Sequence, residues 1–331
     1  MEKQVLGRTG RLVPVVGLGT WQLGADWGEV SEADAHAILD AAFESGVDFF
    51  DTADVYGDGR SEQVIGAFLK NHPDASITVA TKMGRRMPQE PENYVMDHFR
   101  EWTDRSRRNL GVDRLDLVQL HCPPTSVYSD DEVFDALDTL VEEGVVASYG
   151  VSVETVGEAL TAIARPNVAS VQIILNAFRL KPLEEVVPAA SAAGVGIIAR
   201  VPLASGLLSG KYTKDTVFAK EDHRNFNRDG SAFDVGETFS GVPYEVGVEA
   251  AGRFTELVRE TFGESLTPAQ AAIAWAWQQP GVSTVIPGAR SPEQARSNAA
   301  AGEAGTLGPL FASGVREIYD ELVREHVHDK W

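Results

Sequence analysis

The chain has 331 residues, 43% apolar and 24% charged, a balance ordinary for a globular fold with a sizeable core. Its 29 basic and 49 acidic residues leave a net charge of −20, which argues against non-specific binding of nucleic acid or adhesion to an anionic membrane. The single cysteine, Cys122, excludes an intrachain disulfide, and MEKQVLGRTG carries no apolar leader, so the expectation is a soluble cytoplasmic protein with no membrane span.

Residues 3–13 hold two short apolar runs around Gly7-Arg8-Thr9-Gly10, the pattern of a β-hairpin. Residues 15–19 (VVGLG) read as a first core strand, and Ser31 with Asp34 suggests a capped helix over 32–45. After the Gly46 stop, VDFF at 47–50 reads as a second, buried strand. Asp51 stands where that strand should end, and Tyr56 follows in a turn bounded by Asp54, Gly57 and Gly59. A helix begins at Ser61, with Val64, Ile65, Phe68 and Leu69 on one face. A strand over 76–81 ends at Lys82, a helix covers 94–110, and a strand over 115–120 ends at His121. A helix over 130–143 follows, then strands over 145–151 and 168–175 around a short helix at 155–164. A helix over 184–193 leads to a strand at 195–199. The last strand, 283–286, lies between helices at 268–278 and 291–301.

Eight strand-then-helix units imply parallel neighbours, and eight such units most simply close into a (β/α)8 barrel formed by the whole chain, 1–331, as one domain. A doubly wound open sheet is the competing arrangement. Against it, the first strand–helix junction reads GLGTWQLG, without a clean G-x-G-x-x-G. Residues 201–241 break the rhythm as a long polar, Gly-rich connection, 242–263 add a helix, and 308–327 have helical spacing.

In such a barrel, reactive groups stand at the carboxyl ends of the strands. Asp51, Lys82 and His121 end three successive strands, and Tyr56 lies on the loop above them. Each has a bland alternative: a loop cap, a solvated charge, a satisfied histidine, a packing tyrosine. Together they suit proton transfer. An ammonium lowers the pKa of a nearby phenol, a carboxylate holds the ammonium charged, and a histidine polarises a carbonyl. Cys122 follows His121 and, by strand alternation, faces away from it, so a Cys/His nucleophilic pair is not expected.

Seven segments in order carry a resemblance: GLGTW (17–21), DFFDTADVYG (48–57), ATK (80–82), LVQLH (117–121), GVS (150–152), PLASGLLSGKY (202–212) and VIPGAR (285–290). The chain resembles the aldo-keto reductases. The resemblance implies reversible carbonyl reduction with NADPH, NADH being the second candidate. It makes Tyr56 the proton donor, Lys82 with Asp51 the pair that tunes it, and His121 the residue that orients the substrate carbonyl. It places Gly19, Thr20 and Trp21 at the nicotinamide end and Ser152 and Gln172 on the carboxamide. Leu203, Ser205, Gly206, Leu208 and Lys211 then lie in the segment over the pyrophosphate. Gly288, Arg290, Gln294 and Asn298 lie at the adenosine end, with Arg224 and Arg228 as supplements and the helix N-terminus after 287–289 favouring phosphate.

Two positions depart from the family's pattern. Many relatives have Asn where this chain has Val153, and an aromatic residue for nicotinamide stacking where it has Arg200. A guanidinium plane can also stack on an aromatic ring, which keeps Arg200 among the expected cofactor residues. Trp21, Trp27, Tyr56, Met83, Arg85 and the 201–241 loop are expected around a small carbonyl substrate. The rivals are a cofactor-sensing regulatory subunit like the potassium-channel β subunits, and a metal-dependent barrel hydrolase. No His-x-His pair ends a strand to support the latter, so no metal is expected. Oligomeric state has no sequence signal.

Overall fold

A computed structural model describes residues 1–24 and 30–331. The hairpin comes first, β1 (Lys3–Val5) antiparallel to β2 (Leu12–Pro14). The barrel strands follow: β3 (Leu18–Gly19), β4 (Phe49–Asp51), β5 (Thr78–Met83), β6 (Leu115–His121), β7 (Val146–Ser152), β8 (Ser170–Ile174), β9 (Gly196–Arg200) and β10 (Val282–Val285). All eight are parallel and lie in chain order around the sheet. Bridges Val16↔Val285 and Gly19↔Gly288 join the last strand to the first, which selects the barrel over the open sheet.

The first strand is shorter than its sequence pattern. Residues 15–17 instead bond across the seam, where the Gly17 amide donates to the Val285 carbonyl at 2.8 Å and the Val285 amide to that of Val15 at 3.0 Å. Asp51, Lys82 and His121 each lie inside their strands rather than beyond them.

Helices between the strands are α1 (Glu32–Glu44), α2 (Arg60–Asn71), α3 (Met96–Leu110), α4 (Asp131–Glu142), α5 (Val156–Ile163) and α6 (Val186–Ala193). Local chemistry sets their starts. The Ser31 hydroxyl accepts from the Asp34 amide, and Thr155 with Glu158 forms a complete capping box. Beyond β9 come the short α7 (His223–Phe226), then α8 (Tyr244–Phe262), α9 (Pro268–Trp277) and α10 (Pro292–Ala300). The tail is not one helix: α11 (Pro309–Ile318) passes through a π-helical turn at Tyr319–Val323 into α12 (Arg324–Val327).

The hairpin plugs the amino end of the barrel. Leu6 and Val13 pack with Phe49, Ala80, Leu117, Ile198 and Ile286. Gly7 approaches Gly196 so closely that a Cβ would overlap its amide nitrogen. Arg8 donates to the Val168 and Ala193 carbonyls at 2.9 and 2.8 Å. With that end filled, the polar strand ends face the other way.

Candidate active site at the carboxyl ends of the strands

The barrel axis holds a buried polar chain. The Lys82 ammonium pairs with Asp51 Oδ1 and donates to the Thr52 carbonyl at 2.9 Å. The other Asp51 oxygen accepts from Gln172 Nε2 at 2.7 Å and Gln119 Nε2 at 3.1 Å. Asp51 and Lys82 are 2% and 1% exposed, so the pair is shielded from solvent. Burying such a pair is costly unless its remaining lone pairs are bonded, and here the two glutamine amides and the Thr52 carbonyl do that.

Tyr56 Oη lies 3.4 Å from Lys82 Nζ. Its ring stacks on Trp21, with centroids 6.0 Å apart, and meets His121 edge-on at 5.9 Å. The four residues expected to act together therefore do meet. The expected sign of the phenol's shift is not observed. Burial raises the Tyr56 pKa above the ordinary value, and the Lys82 ammonium offsets this only in part. Burial also disfavours the Lys82 ammonium, but Asp51 and Tyr56 outweigh it and hold its pKa above the usual lysine value. His121 is pushed well below the ordinary imidazole value by burial and by Arg85, Lys82 and Arg200. It is a neutral imidazole whose buried Nδ1 has no hydrogen-bond partner among the described residues.

The alternation argument for Cys122 fails, although no Cys/His pair forms. Cys122 lies past the strand end at φ +47°, and its thiol meets Ser152 Oγ at 3.3 Å. Burial, with Glu154, pushes that thiol up to about 12, so it is no nucleophile near neutrality. Met83 follows Lys82 on the strand and faces outward into the core between strands and helices, not into the mouth. Trp27 lies outside the described residues.

Register aligns His121 with Ser152, and Ser152 with Gln172, across β6, β7 and β8. Opposite them, the Thr20 hydroxyl donates to the Asp51 carbonyl at 2.9 Å and Gly19 abuts Gly288. Past β10, the Gln294 side chain accepts from the Arg290 amide at 2.8 Å, and Asn298 donates to the Gly288 carbonyl at 3.1 Å. Ser291 caps α10 beside them. Arg290 and Arg224 converge on one carboxylate, Asp222, at 4.0 and 2.5 Å. Arg228 instead lies over the Tyr244 ring, 4.8 Å away.

In the long loop, the Ser205 hydroxyl donates to the Glu237 carbonyl and accepts from the Phe239 amide, both at 3.0 Å. Gly206 has φ +97°. Leu203 is partly exposed and Lys211 is exposed, whereas Leu208 is fully buried, so its expected place at the ligand is not met in this conformation.

Arg200 has partners that no local pattern foretold. Its guanidinium donates to Glu237 Oε1 at 3.0 Å, Glu154 Oε2 at 2.9 Å and the Val153 carbonyl at 3.0 Å. Arg85 Nη2 stands 3.6 Å from Glu154, and Arg179 donates to the Glu154 carbonyl at 2.6 Å. Burial works against ionisation of Glu237, but Arg200 and Arg85 outweigh it and hold that carboxyl low; in Glu154 burial wins and the carboxyl is raised. Trp331 extends the cluster, lying over Arg179 at 4.0 Å with its indole N–H on Asp234 at 3.1 Å.

Residues 15–320 match the model of the Aldo/keto reductase family. The chain belongs to that family. A probable voltage-gated potassium channel β subunit from Oryza sativa is 30% identical over 314 residues, 90% of each chain. The aldo-keto reductase AKR11C1 from Bacillus halodurans, in its holo form, superposes with a TM-score of 0.77 at 27% identity, covering 99% of this chain and 100% of the other. An aldo-keto reductase from Klebsiella pneumoniae in complex with NADPH gives a TM-score of 0.70 at 23% identity and covers 96% of each chain. This aldo-keto reductase is thus an oxidoreductase acting on carbonyl groups.

Proposed function

We propose that the protein reduces an aldehyde or ketone to an alcohol with NADPH, reversibly, with Tyr56 as the proton donor. The observation that carries this is the contact chain Asp51–Lys82–Tyr56–His121 at the open end of the barrel. The donor set fits a nicotinamide dinucleotide. Hydroxyl and amide groups of Ser152 and Gln172 stand at one end of the mouth, and Arg290 with the α10 N-terminus stands at the other, suited to phosphate.

The cofactor, when bound, supplies the hydride that goes to the carbonyl carbon. The protein's own groups supply the rest. Tyr56 passes its phenolic proton to the carbonyl oxygen, and its raised pKa keeps that proton in place near neutral pH. Lys82 stabilises the phenolate that remains, and Asp51 keeps the ammonium charged and in line. The neutral His121 imidazole offers an N–H to the same oxygen without competing for its proton. Arg200, tied to two carboxylates, presents a fixed guanidinium where a stacking aromatic would stand in many relatives.

The rice relative's name motivates a second reading, a cofactor-sensing subunit with little turnover. The intact proton-transfer group favours turnover. Following NADPH absorbance with a panel of reactive aldehydes separates the two. Tyr56→Phe should lower kcat by about 100-fold or more with NADPH affinity retained. Absence of turnover with cofactor bound would refute the enzyme reading, and equal activity in Tyr56→Phe would refute the proton donor.

A further inference from the structure

Three arginines gather around Glu154 at the mouth of the barrel, and they are not equally engaged. Arg200 donates to two carboxylates and a backbone carbonyl. Arg179 is bonded to the Glu154 carbonyl and stacked on Trp331, and its Nη1, also unpartnered among the described residues, is buried out of a ligand's reach. Arg85 differs. Its Nε donates to the His121 carbonyl at 3.0 Å, its Nη2 has only the 3.6 Å approach to Glu154, and its Nη1 donates to no group among the described residues. Its side chain is 28% exposed, whereas that of Arg200 is 9% exposed. Arg86, the next residue, is engaged by Asp58 and points to the outer rim.

The guanidinium is therefore anchored by its own Nε on the backbone of His121, with Nη2 toward Glu154 and Nη1 open. Of the Glu154 carboxyl, Oε2 serves Arg200 at 2.9 Å while Oε1 faces Arg85 Nη2, and Glu237 adds a second carboxylate nearby, so the position left for an incoming anion is Nη1. A guanidinium held at Nε with Nη1 open still offers one charge-assisted hydrogen bond to an anion, above all a carboxylate. It does so on a chain whose net charge of −20 repels anions generally, so the arginine supplies a local exception.

We propose that Arg85 is a specificity-determining residue that binds a carboxylate on the substrate. The substrate class is then an oxo acid, an aldehyde or ketone carrying a carboxylate a short distance from the carbonyl. This rests on the carbonyl-reductase reading above. The substrate carbonyl lies at Tyr56 and His121 while its carboxylate takes Nη1 of Arg85, so the two contacts fix the orientation of a small molecule.

The test compares 4-carboxybenzaldehyde with its neutral methyl ester, methyl 4-formylbenzoate, under NADPH. In the wild type kcat/KM should favour the acid. In Arg85→Gln the acid-to-ester ratio should fall about tenfold, the discrimination worth one charge-assisted hydrogen bond at a partly exposed site. Arg85→Lys should retain part of the preference, and rising salt should lower the wild-type ratio. An unchanged ratio in Arg85→Gln, or a wild-type ratio indifferent to salt, would overturn the proposal. Calorimetric titration of the NADP+-loaded protein with benzoate and benzamide gives a readout free of turnover. Benzoate should bind the wild type more tightly than Arg85→Gln, and equal binding would overturn the proposal. If neither aldehyde is reduced but benzoate binding still depends on Arg85, the anion site stands and the reductase reading falls.

Discussion

Asp54→Asn tests how burial and charge are balanced two residues before Tyr56. The Asp54 side chain is fully buried, and among the described residues its carboxyl oxygens have no partner within hydrogen-bond geometry beyond a weak pull from the Val55 amide. Burial, reinforced by the neighbouring Glu62 carboxylate, raises its pKa from 3.8 to about 7, against the pull of Arg86 and Arg105. A carboxyl raised in the folded state favours folding only while it stays protonated. That advantage is complete below about pH 4, where both states are protonated, and is lost as pH rises through about 7. Above that, keeping Asp54 ionised in the fold costs roughly 4 kcal/mol, at about 1.4 kcal/mol for each tenfold in proton affinity.

Asparagine has the shape of the protonated acid and does not ionise. The stabilisation by Asp54→Asn should therefore grow by about 3 kcal/mol between pH 5 and pH 8. Urea unfolding of both proteins at pH 5, 6, 7 and 8 reads this, because ionisation of residue 54 is the main difference between the two. A difference in stability that stays flat with pH, or Asp54→Asn becoming the less stable protein at pH 8, would refute the account of a desolvated, unpaired carboxyl.

Asp51→Asn should destabilise by about 3–5 kcal/mol in urea melts, because it strands the buried Lys82 ammonium, and should also lower kcat. Glu237→Gln removes one of the two carboxylates that hold Arg200 and should make residues 212–233 cleave faster under limited proteolysis; unchanged cleavage would show that the pair does not hold the loop. Gly7→Ala should cost more than about 2 kcal/mol in the same melts, since Gly7 has φ +47° and no room for a Cβ against Gly196. The pH profile of kcat should show no inflection from His121 near pH 6.5, since burial and three cationic neighbours hold its pKa well below that.

Much of the site was legible in the sequence because strand ends are local features. Hydrophobic runs bounded by glycine, proline and capping residues locate the strands, and strict strand–helix alternation leaves few closures other than a barrel. Once the barrel is drawn, Asp51, Lys82 and His121 fall on neighbouring strands without further information. Gln119 also had a local signal, since it lies two residues before His121 in a buried strand and so shares its face.

What the sequence alone determined was the barrel, the rim on which the chemistry stands and the identities of the four residues that meet there. What only the tertiary structure decided was their protonation and their surroundings. The Tyr56 phenol rises rather than falls because desolvation, a property of the packed site, outweighs one ammonium at 3.4 Å. Cys122 turns toward Ser152 because its backbone leaves the strand at φ +47°. Arg200 is pinned by Glu154 and Glu237, which come from separate loops 46 and 37 residues away in the chain. No local pattern marks such partners, because long-range ion pairs depend on how the loops fold back over the mouth. The same folding holds Arg85 on the His121 carbonyl and beside Glu154 while leaving its Nη1 without a bond among the described residues.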